Sequence, residues 1–285
     1  MTSHPAAVRL DPVTAEAVPS LDPAELSSLR GRTALVTGAG GGIGQWLAAG
    51  LGAAGATVVL TDVDPEALSS VQATLGVAGL RCSSVVADLT DDDAADGVVE
   101  RAVQQHGSLD VLVNCAGINR REAIFDVQPA VFDRIVAVNL RAPYFLARAA
   151  ARVMARGGRG AIVNIGSVNS AIGLQNVSVY GQSKAAIAQL TKVMAVEWAH
   201  LGIRVNCLAP GFVTTPLSAA LWENPRLRAW ILSRVPQRRA GLPRELVGAC
   251  VLLASDAGSF ITGQTVYVDG GLLAGSPWSN DAEEI

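Results

Sequence analysis

Cysteine is scarce. Four occur in 285 residues, and Cys82, Cys115, Cys207 and Cys250 are scattered, with no C-x-x-C pair and no histidine at ligand spacing. That pattern argues against a disulfide framework or a metal site and for a reducing compartment. Long apolar runs are missing too, since none approaches the roughly 18 uninterrupted residues of a bilayer crossing. The first residues lack a basic-then-apolar leader pattern, which points to a cytoplasmic protein away from membranes. Nor is positive charge in excess: 22 Lys and Arg against 25 Asp and Glu leave a formal charge of -3, no electrostatic footprint for nucleic acid. What is plentiful is apolar residue, 50% of the chain, enough to bury one large α/β core.

Residues 1–30 carry Pro5, Pro12, Pro19 and Pro23 among small and polar residues, without a sustained period. They are expected to form an extended arm with one short helical turn from Pro23. Strand-like runs then alternate with helical patterns. Thr33-Ala34-Leu35-Val36-Thr37 leads straight into Gly38-Ala39-Gly40-Gly41-Gly42-Ile43-Gly44 and a helix to Ala54. A glycine turn between strand and helix lets backbone approach a phosphate, while the helix N-terminus offers its N–H groups. The run 57–61 ends in Asp62, about 20 residues past the turn, where a carboxylate suits ribose hydroxyls and repels a 2′-phosphate. No Lys or Arg in the turn neutralises that phosphate, so both observations favour NAD over NADP. A competing local reading makes Asp64-Pro65 a helix cap, with Asp62 simply opening the turn.

Further runs at 81–87, ending in Asp88-Leu89, and at 109–113, ending in Asn114-Cys115-Ala116-Gly117, continue the alternation. Strands and helices at this spacing predict right-handed βαβ units. The expectation is one doubly wound domain over 31–273, a parallel sheet with helices on both faces, then a tail over 274–285. His106 is expected to close a helix rather than act as a base. A helix over 132–156 contains Pro143, whose missing N–H frees the Asn139 carbonyl to hold a water.

The apolar run Ala161-Ile162-Val163-Asn164-Ile165 reads as a buried strand, and Ser167 follows it at the carboxyl edge, where open α/β sheets bind ligands. Tyr180 and Lys184 stand four apart. On a helix they project from one face, with Cβ atoms roughly 5–6 Å apart. A cation there favours the charged form of the phenol, which suits Tyr180 to general acid/base work near ambient pH. Taken alone the pair is weak, because a packed ring beside a snorkelling lysine has the same spacing. A sixth strand from Ile203 leads to Pro210-Gly211-Phe212-Val213-Thr214-Thr215, over the same sheet edge. The irregular stretch 214–240, with Trp222 and Trp230, suits a mobile lid or else a solvated helical pair. A last helix from Pro243 and a strand at 265–268 close the pattern.

In this order, Thr37-Gly38-x-x-x-Gly42-Ile43-Gly44, Asp88-Leu89, Asn114-Cys115-Ala116-Gly117, Asn139, Ser167, Tyr180-x-x-x-Lys184 and Pro210-Gly211 resemble the short-chain dehydrogenase/reductase family over residues 29–273. The resemblance implies a seven-stranded doubly wound sheet, a nicotinamide cofactor and a homotetramer. It makes Tyr180 the acid/base, with Lys184 lowering its pKa and holding the nicotinamide ribose. It has Ser167 hydrogen-bond the substrate oxygen, and Asn139 hold a relay water through its main-chain carbonyl. The cofactor contacts implied are Gly38, Gly41, Gly42, Ile43, Gly44, Asp62, Val63, Asp88, Leu89, Asn114, Ala116, Gly117, Pro210, Gly211, Val213 and Thr215, besides Tyr180 and Lys184. Cys115 departs from the family, which more often has Asn or Ala there, and its side chain is expected to face the core.

Asn119-Arg120-Arg121-Glu122 and Asn169, Gln175 and Asn176 fall on the side where a substrate would lie. Arginines there suit a carboxylate and amides suit a polyol, with Arg120, Asn169 and Gln175 as the substrate candidates. The plainer reading is a solvated loop in which the arginines pair with Glu122. The stretch through Arg120-Arg121 and Glu197-Trp198-Ala199 are similar to gluconate and deoxygluconate dehydrogenases. The leading expectation is therefore an NAD-dependent dehydrogenase of a sugar, sugar acid or similar polar secondary alcohol. The others are a reductase of 3-oxoacyl thioesters or apolar ketones, with Ile172, Leu174, Trp222 and Trp230 as its pocket, and an NAD-binding protein without turnover.

Overall fold

In the computed structural model, which describes residues 21–275, each β-type run becomes a strand and the sequence between becomes helix. A short helix α1 (Pro23–Leu26) opens it, with the Asp22 side chain accepting the Ala24 N–H. Residues 1–20 of the expected arm, and the tail beyond 275, lie outside the described residues. Then follow β1 (Thr33–Thr37), α2 (Gly42–Ala53), β2 (Thr57–Asp62), α3 (Pro65–Val77), β3 (Cys82–Val86), α4 (Ala94–His106) and β4 (Val111–Asn114). The second half comprises α5 (Pro129–Val136), α6 (Ala142–Gly157), β5 (Gly160–Ile165), α7 (Ser178–Trp198), β6 (Ile203–Pro210), α8 (Ala219–Glu223), α9 (Pro225–Arg234), α10 (Val247–Ala254) and β7 (Thr265–Val268). The seven strands pair in parallel in the order β3-β2-β1-β4-β5-β6-β7. The winding reverses between β1 and β4, and there a crevice opens outside the carboxyl ends of the strands.

Neighbouring residues of β1 serve opposite faces. Ala34 and Val36 pack with Leu47, Leu68 and Leu253 of α2, α3 and α10, while Leu35 packs with Val99, Leu146 and Met194 of α4, α6 and α7. Each large side chain so buried contributes about 1.5–3 kcal/mol relative to exposure. A strand covered on both faces has no polar side, which is why these runs read as unbroken apolar sequence. Leu29 is fully buried as well and donates its N–H to the Ala54 carbonyl, so packing begins ahead of the expected boundary at 31. No helix among the described residues is long and apolar enough to cross a membrane.

The helix expected over 132–156, with Pro143 inside it, is divided in two. Between α5 and α6 lies a π-helical segment, Ala137–Arg141, closed by the Ala142 N–H on the Ala137 carbonyl. Pro143 thereby falls in the first turn of α6, where a missing N–H costs little. The widened turn carries Asn139, which is 1% exposed.

The stretch expected as a lid forms α8 and α9, with Asn224 capping α9 by accepting the Arg226 and Leu227 N–H groups. Leu221, Ile231 and Val235 make a small core of their own with Phe212 and Trp222. Behind it Arg239 donates to both oxygens of Glu245 at 2.7 Å, and Glu245 also accepts the Leu242 N–H. These contacts, the Arg239 hydrogen bond foremost, hold the Glu245 pKa down at about 2. A folded-state pKa below the ordinary 4.5 means the tether stabilises above that pH and is lost as pH falls towards 2. Glu245→Gln should melt slightly below wild type near neutral pH, and the gap should close as a scan descends through that window. A gap that stays constant to the acid end would take the charge out of this contact.

Candidate active site

The carboxyl ends of β1, β4, β5 and β6 face a cleft of about 470 Å³. Gly38, at a φ of 65°, turns the chain out of β1, and a Cβ there would stand 2.9 Å from the Ala116 Cα. Only glycine lets the turn lie against the β4 loop. Thr37 Oγ1 pins the same loop, accepting the Cys115 and Ala116 N–H groups at 2.9 Å each. Open space lies over Gly41 and Gly42 before the first amides of α2, the place where a phosphate can be held.

Asp62 ties the glycine turn to the end of β2. Its Oδ2 accepts the Gly40 N–H at 2.9 Å and its Oδ1 accepts those of Val63 and Asp64, while the residue lines the cleft. Asp64 is the helix cap, accepting the Glu66 and Ala67 N–H groups with Pro65 at the first helical position. Asp88 accepts the Thr90 N–H and hydroxyl and pairs with Arg134 at 3.3 Å. Thr90 foremost holds that carboxyl below the usual carboxylate range. Every residue expected to contact the cofactor, from Gly38 through Asp62, Asp88 and Asn114 to Thr215, lines the cleft.

At the other end α7 carries Tyr180 and Lys184 together, with Nζ 5.7 Å from the ring centroid. Lys184 is 5% exposed, and its Nζ donates to the Ile165 carbonyl at 2.7 Å. Its own carbonyl accepts the Ser170 hydroxyl at 2.9 Å, so the end of β5 and the turn after it grip one residue of α7 twice. Ser167 caps that short turn, Val168–Ser170, and lines the cleft. Asn139 does not line it. Its Oδ1 accepts the Ile118 N–H and its Nδ2 donates to the Ile118 carbonyl and to Ser183 Oγ. Ser183 donates in turn to the Tyr180 carbonyl at 2.7 Å. The Asn139 side chain thus ties the β4 loop to the turn of α7 that bears Tyr180, a task separate from the water-holding role expected of its carbonyl.

A second buried chain runs beneath. Asn114 Nδ2 donates to Asn164 Oδ1 at 2.8 Å, Asn164 Nδ2 to Thr191 Oγ1 at 2.9 Å, and Thr191 to the Ile187 carbonyl. It joins β4, β5 and α7. Asn164, Thr191, Ser183 and Thr37 are not among the expected site residues. An amide inside an otherwise apolar strand, as at Asn164, is the signal that would have found the chain.

On the substrate side the arginines divide. Arg121 lines the cleft, whereas Arg120 lies off it, its side chain 64% exposed and paired with Glu122 at 3.2 Å. Partial burial pulls the Arg121 pKa down, opposed by the charge Tyr180 can carry. Asn169 lines the cleft. Gln175 is exposed and outside its wall, and Asn176, at a φ of 65°, holds the Glu122 N–H through its carbonyl. Of the substrate candidates expected from sequence, Asn169 lines the cleft, and Arg120 and Gln175 do not. Arg121 rather than Arg120 reaches the cleft, and an irregular loop has no period to say which residues turn inwards. Of Ile172, Leu174, Trp222 and Trp230, Leu174 alone lines the cleft. Cys115 packs against the core, where burial pushes its thiol pKa up to about 12. His106 ends α4 before Gly107. No His, Cys, Asp or Glu cluster among the described residues could hold a metal ion.

A doubly wound sheet whose switch-point crevice brings a serine and a tyrosine–lysine pair to one end and a glycine turn to the other defines a dinucleotide-dependent oxidoreductase. A family model described as enoyl-(acyl carrier protein) reductase matches residues 38–273, and the chain belongs to the short-chain dehydrogenase/reductase family. It is 41% identical over 248 residues to the gluconate 5-dehydrogenase of Gluconobacter oxydans (strain 621H), covering 87% of this chain and 97% of that one. It is 38% identical over 246 residues to the 3-oxoacyl-[acyl-carrier-protein] reductase FabG of Thermotoga maritima, covering 86% and 99%. The crystal structure of a gluconate 5-dehydrogenase from Burkholderia cenocepacia J2315, in complex with NADP and tartrate, matches with a TM-score of 0.86 at 37% identity, covering 88% and 98%. The protein is an enzyme that acts on CH-OH groups.

Proposed function

We propose that this enzyme oxidises a secondary hydroxyl of a sugar acid of the gluconate class, using NAD, with Tyr180 as its general acid/base. The observation that carries the substrate reading is Arg121, an arginine lining the same cleft as Tyr180, where paired N–H donors can grip a substrate carboxylate. The amides of Asn119 and Asn169 on the same wall suit hydroxyls. The relatives named for gluconate support this reading. A reductase of 3-oxoacyl thioesters is the second reading, favoured by the Thermotoga maritima relative. Of the apolar side chains expected for that pocket, Ile172, Trp222 and Trp230 stand off the cleft, although Leu174, Phe212 and Leu221 line it.

A bound nicotinamide supplies the hydride acceptor. Ser167 Oγ holds the substrate oxygen while Tyr180 Oη takes the hydroxyl proton, and in the reverse direction Tyr180 returns it to the carbonyl. The Lys184 ammonium, fixed by the Ile165 carbonyl, attracts the phenolate that forms. Asn139 acts through Ser183 to keep the Tyr180 turn in place.

The Burkholderia cenocepacia enzyme was crystallised with NADP, so the preference for NAD rests here on local chemistry. Asp62 sets a carboxylate on the cleft wall, and the glycine turn carries no Lys or Arg to meet a 2′-phosphate. A panel of gluconate, 2-deoxygluconate and a 3-oxoacyl thioester, each with both cofactors, tests the whole reading. Turnover of the hexonates with NAD is expected, and turnover confined to the thioester overturns it. Asp62→Ala should lower the NAD-to-NADP preference about tenfold or more, the worth of a charge-assisted hydrogen bond. An unchanged preference would remove Asp62 from the ribose.

A further inference from the structure

Arg121 lines the cleft and makes no hydrogen bond and no ion pair among the described residues. The segment that carries it is held at two points, one on each side. Upstream, the Asn139 side chain takes both the N–H and the carbonyl of Ile118. Downstream, the Glu122 N–H donates to the Asn176 carbonyl at 3.0 Å. Among the described residues this is the one hydrogen bond that joins the loop to the stretch between Ser167 and α7. Arg120 and Glu122 pair with each other off the cleft wall, while Arg121 between them lines it. Neighbouring side chains of an extended segment take opposite sides, so a roll of the chain exchanges them. The bond at Glu122 opposes that roll.

Asn176 can hold the bond because of its own conformation. Its φ of 65° lies in the left-handed region, which glycine adopts freely, asparagine tolerates and a β-branched residue resists. Its side chain is exposed and makes no hydrogen bond among the described residues, so its contribution is the direction of its carbonyl. Val177, next in the chain, is buried, lines the cleft and accepts the Gly181 N–H in the first turn of α7. The bond therefore ties the Arg121 loop to the turn that bears Tyr180. We propose that Asn176 is a positioning residue whose left-handed backbone aims its carbonyl at Glu122. That bond turns Arg121 rather than Arg120 towards the substrate and gives the cleft its preference for a carboxylate over an uncharged group.

The inference rests on the carboxylate reading under Proposed function, and the two can fail separately. The measurement is the ratio of kcat/KM for gluconate to that for its uncharged amide, which keeps the hydroxyl chain and removes the charge. Arg121→Met should lower the ratio about tenfold or more. Asn176→Val should lower it about fivefold, through a higher KM for gluconate, with KM for the amide within about a factor of two. Asn176→Gly, free to adopt the same φ, should keep the wild-type ratio. In the Arg121→Met background Asn176→Val should change the ratio no further, because its effect passes through the guanidinium. An unchanged ratio in Asn176→Val beside a lowered one in Arg121→Met overturns this inference alone. So does an equal loss on both substrates, an effect that persists without Arg121, or a loss in Asn176→Gly that matches Asn176→Val. No gluconate turnover by the wild type, or an Arg121→Met ratio equal to wild type, overturns the carboxylate reading and this inference with it. Thermal melts show that each variant is folded when it is measured.

Discussion

Tyr180→Phe should lower kcat by about 10²–10⁴-fold, the usual worth of a positioned general acid/base, while the cofactor dissociation constant stays within about a factor of two. Phenylalanine keeps the ring, and with it the van der Waals surface that Lys184 overlies. Among the described residues no side chain or backbone group hydrogen-bonds the Tyr180 hydroxyl, so its removal orphans no buried partner and the fold has no reason to respond. Activity is then the one property that depends on the missing oxygen. Steady-state rates with a fluorescence titration of the cofactor check both halves. Turnover within tenfold of wild type would take Tyr180 out of the proton transfer, and a parallel loss of cofactor binding would make its role structural. Lys184→Met is a less clean probe. It strips the Ile165 carbonyl of its 2.7 Å partner and leaves it buried, so stability would fall along with activity.

What the sequence made legible follows from what repeats in it. Most of the seven strands were readable because they are largely β-branched or small apolar runs closed by a turn, and β1 and β7 fall on the residues expected. The sheet order then follows from short right-handed connections. The glycine turn and the Tyr180–Lys184 pair were readable because their meaning lies in fixed offsets along one element. The chain Asn114–Asn164–Thr191 was not, since its members sit on three elements and meet through topology alone. The choice between Arg120 and Arg121 was lost for a different reason: adjacent residues of an irregular loop carry no face, and the pairing of Arg120 with Glu122 is settled by local geometry. Pro143 signalled a disturbed helix correctly, but an unpaired carbonyl is not the same thing as a π-helical segment. The widened turn buries the Asn139 side chain against Ile118 and Ser183, which a count of missing N–H groups does not reveal.

The glycine turn contains two positions that should separate folding from cofactor binding. A Cβ on Gly44 would lie 2.1 Å from the Gly38 carbonyl oxygen and 2.7 Å from its carbon, backbone atoms that cannot step aside without moving the turn. Gly44→Ala must therefore push α2 off the end of β1, disturbing Leu47 and Leu51 on the buried face and the first-turn amides together. Overpacking of this kind costs about 1–3 kcal/mol, which for a domain of this size lowers Tm by about 2–4 °C per kcal/mol. Cofactor affinity should fall with it. Gly41 is the contrast, because its backbone is extended and a Cβ there meets nothing within 4 Å. Gly41→Ala should leave Tm where it is and weaken only the ligand that needs the open space over the turn. Thermal melts with and without cofactor distinguish the two, and equal Tm values for the pair of variants would mean that the turn tolerates a side chain facing Gly38 and that its glycines serve the phosphate alone.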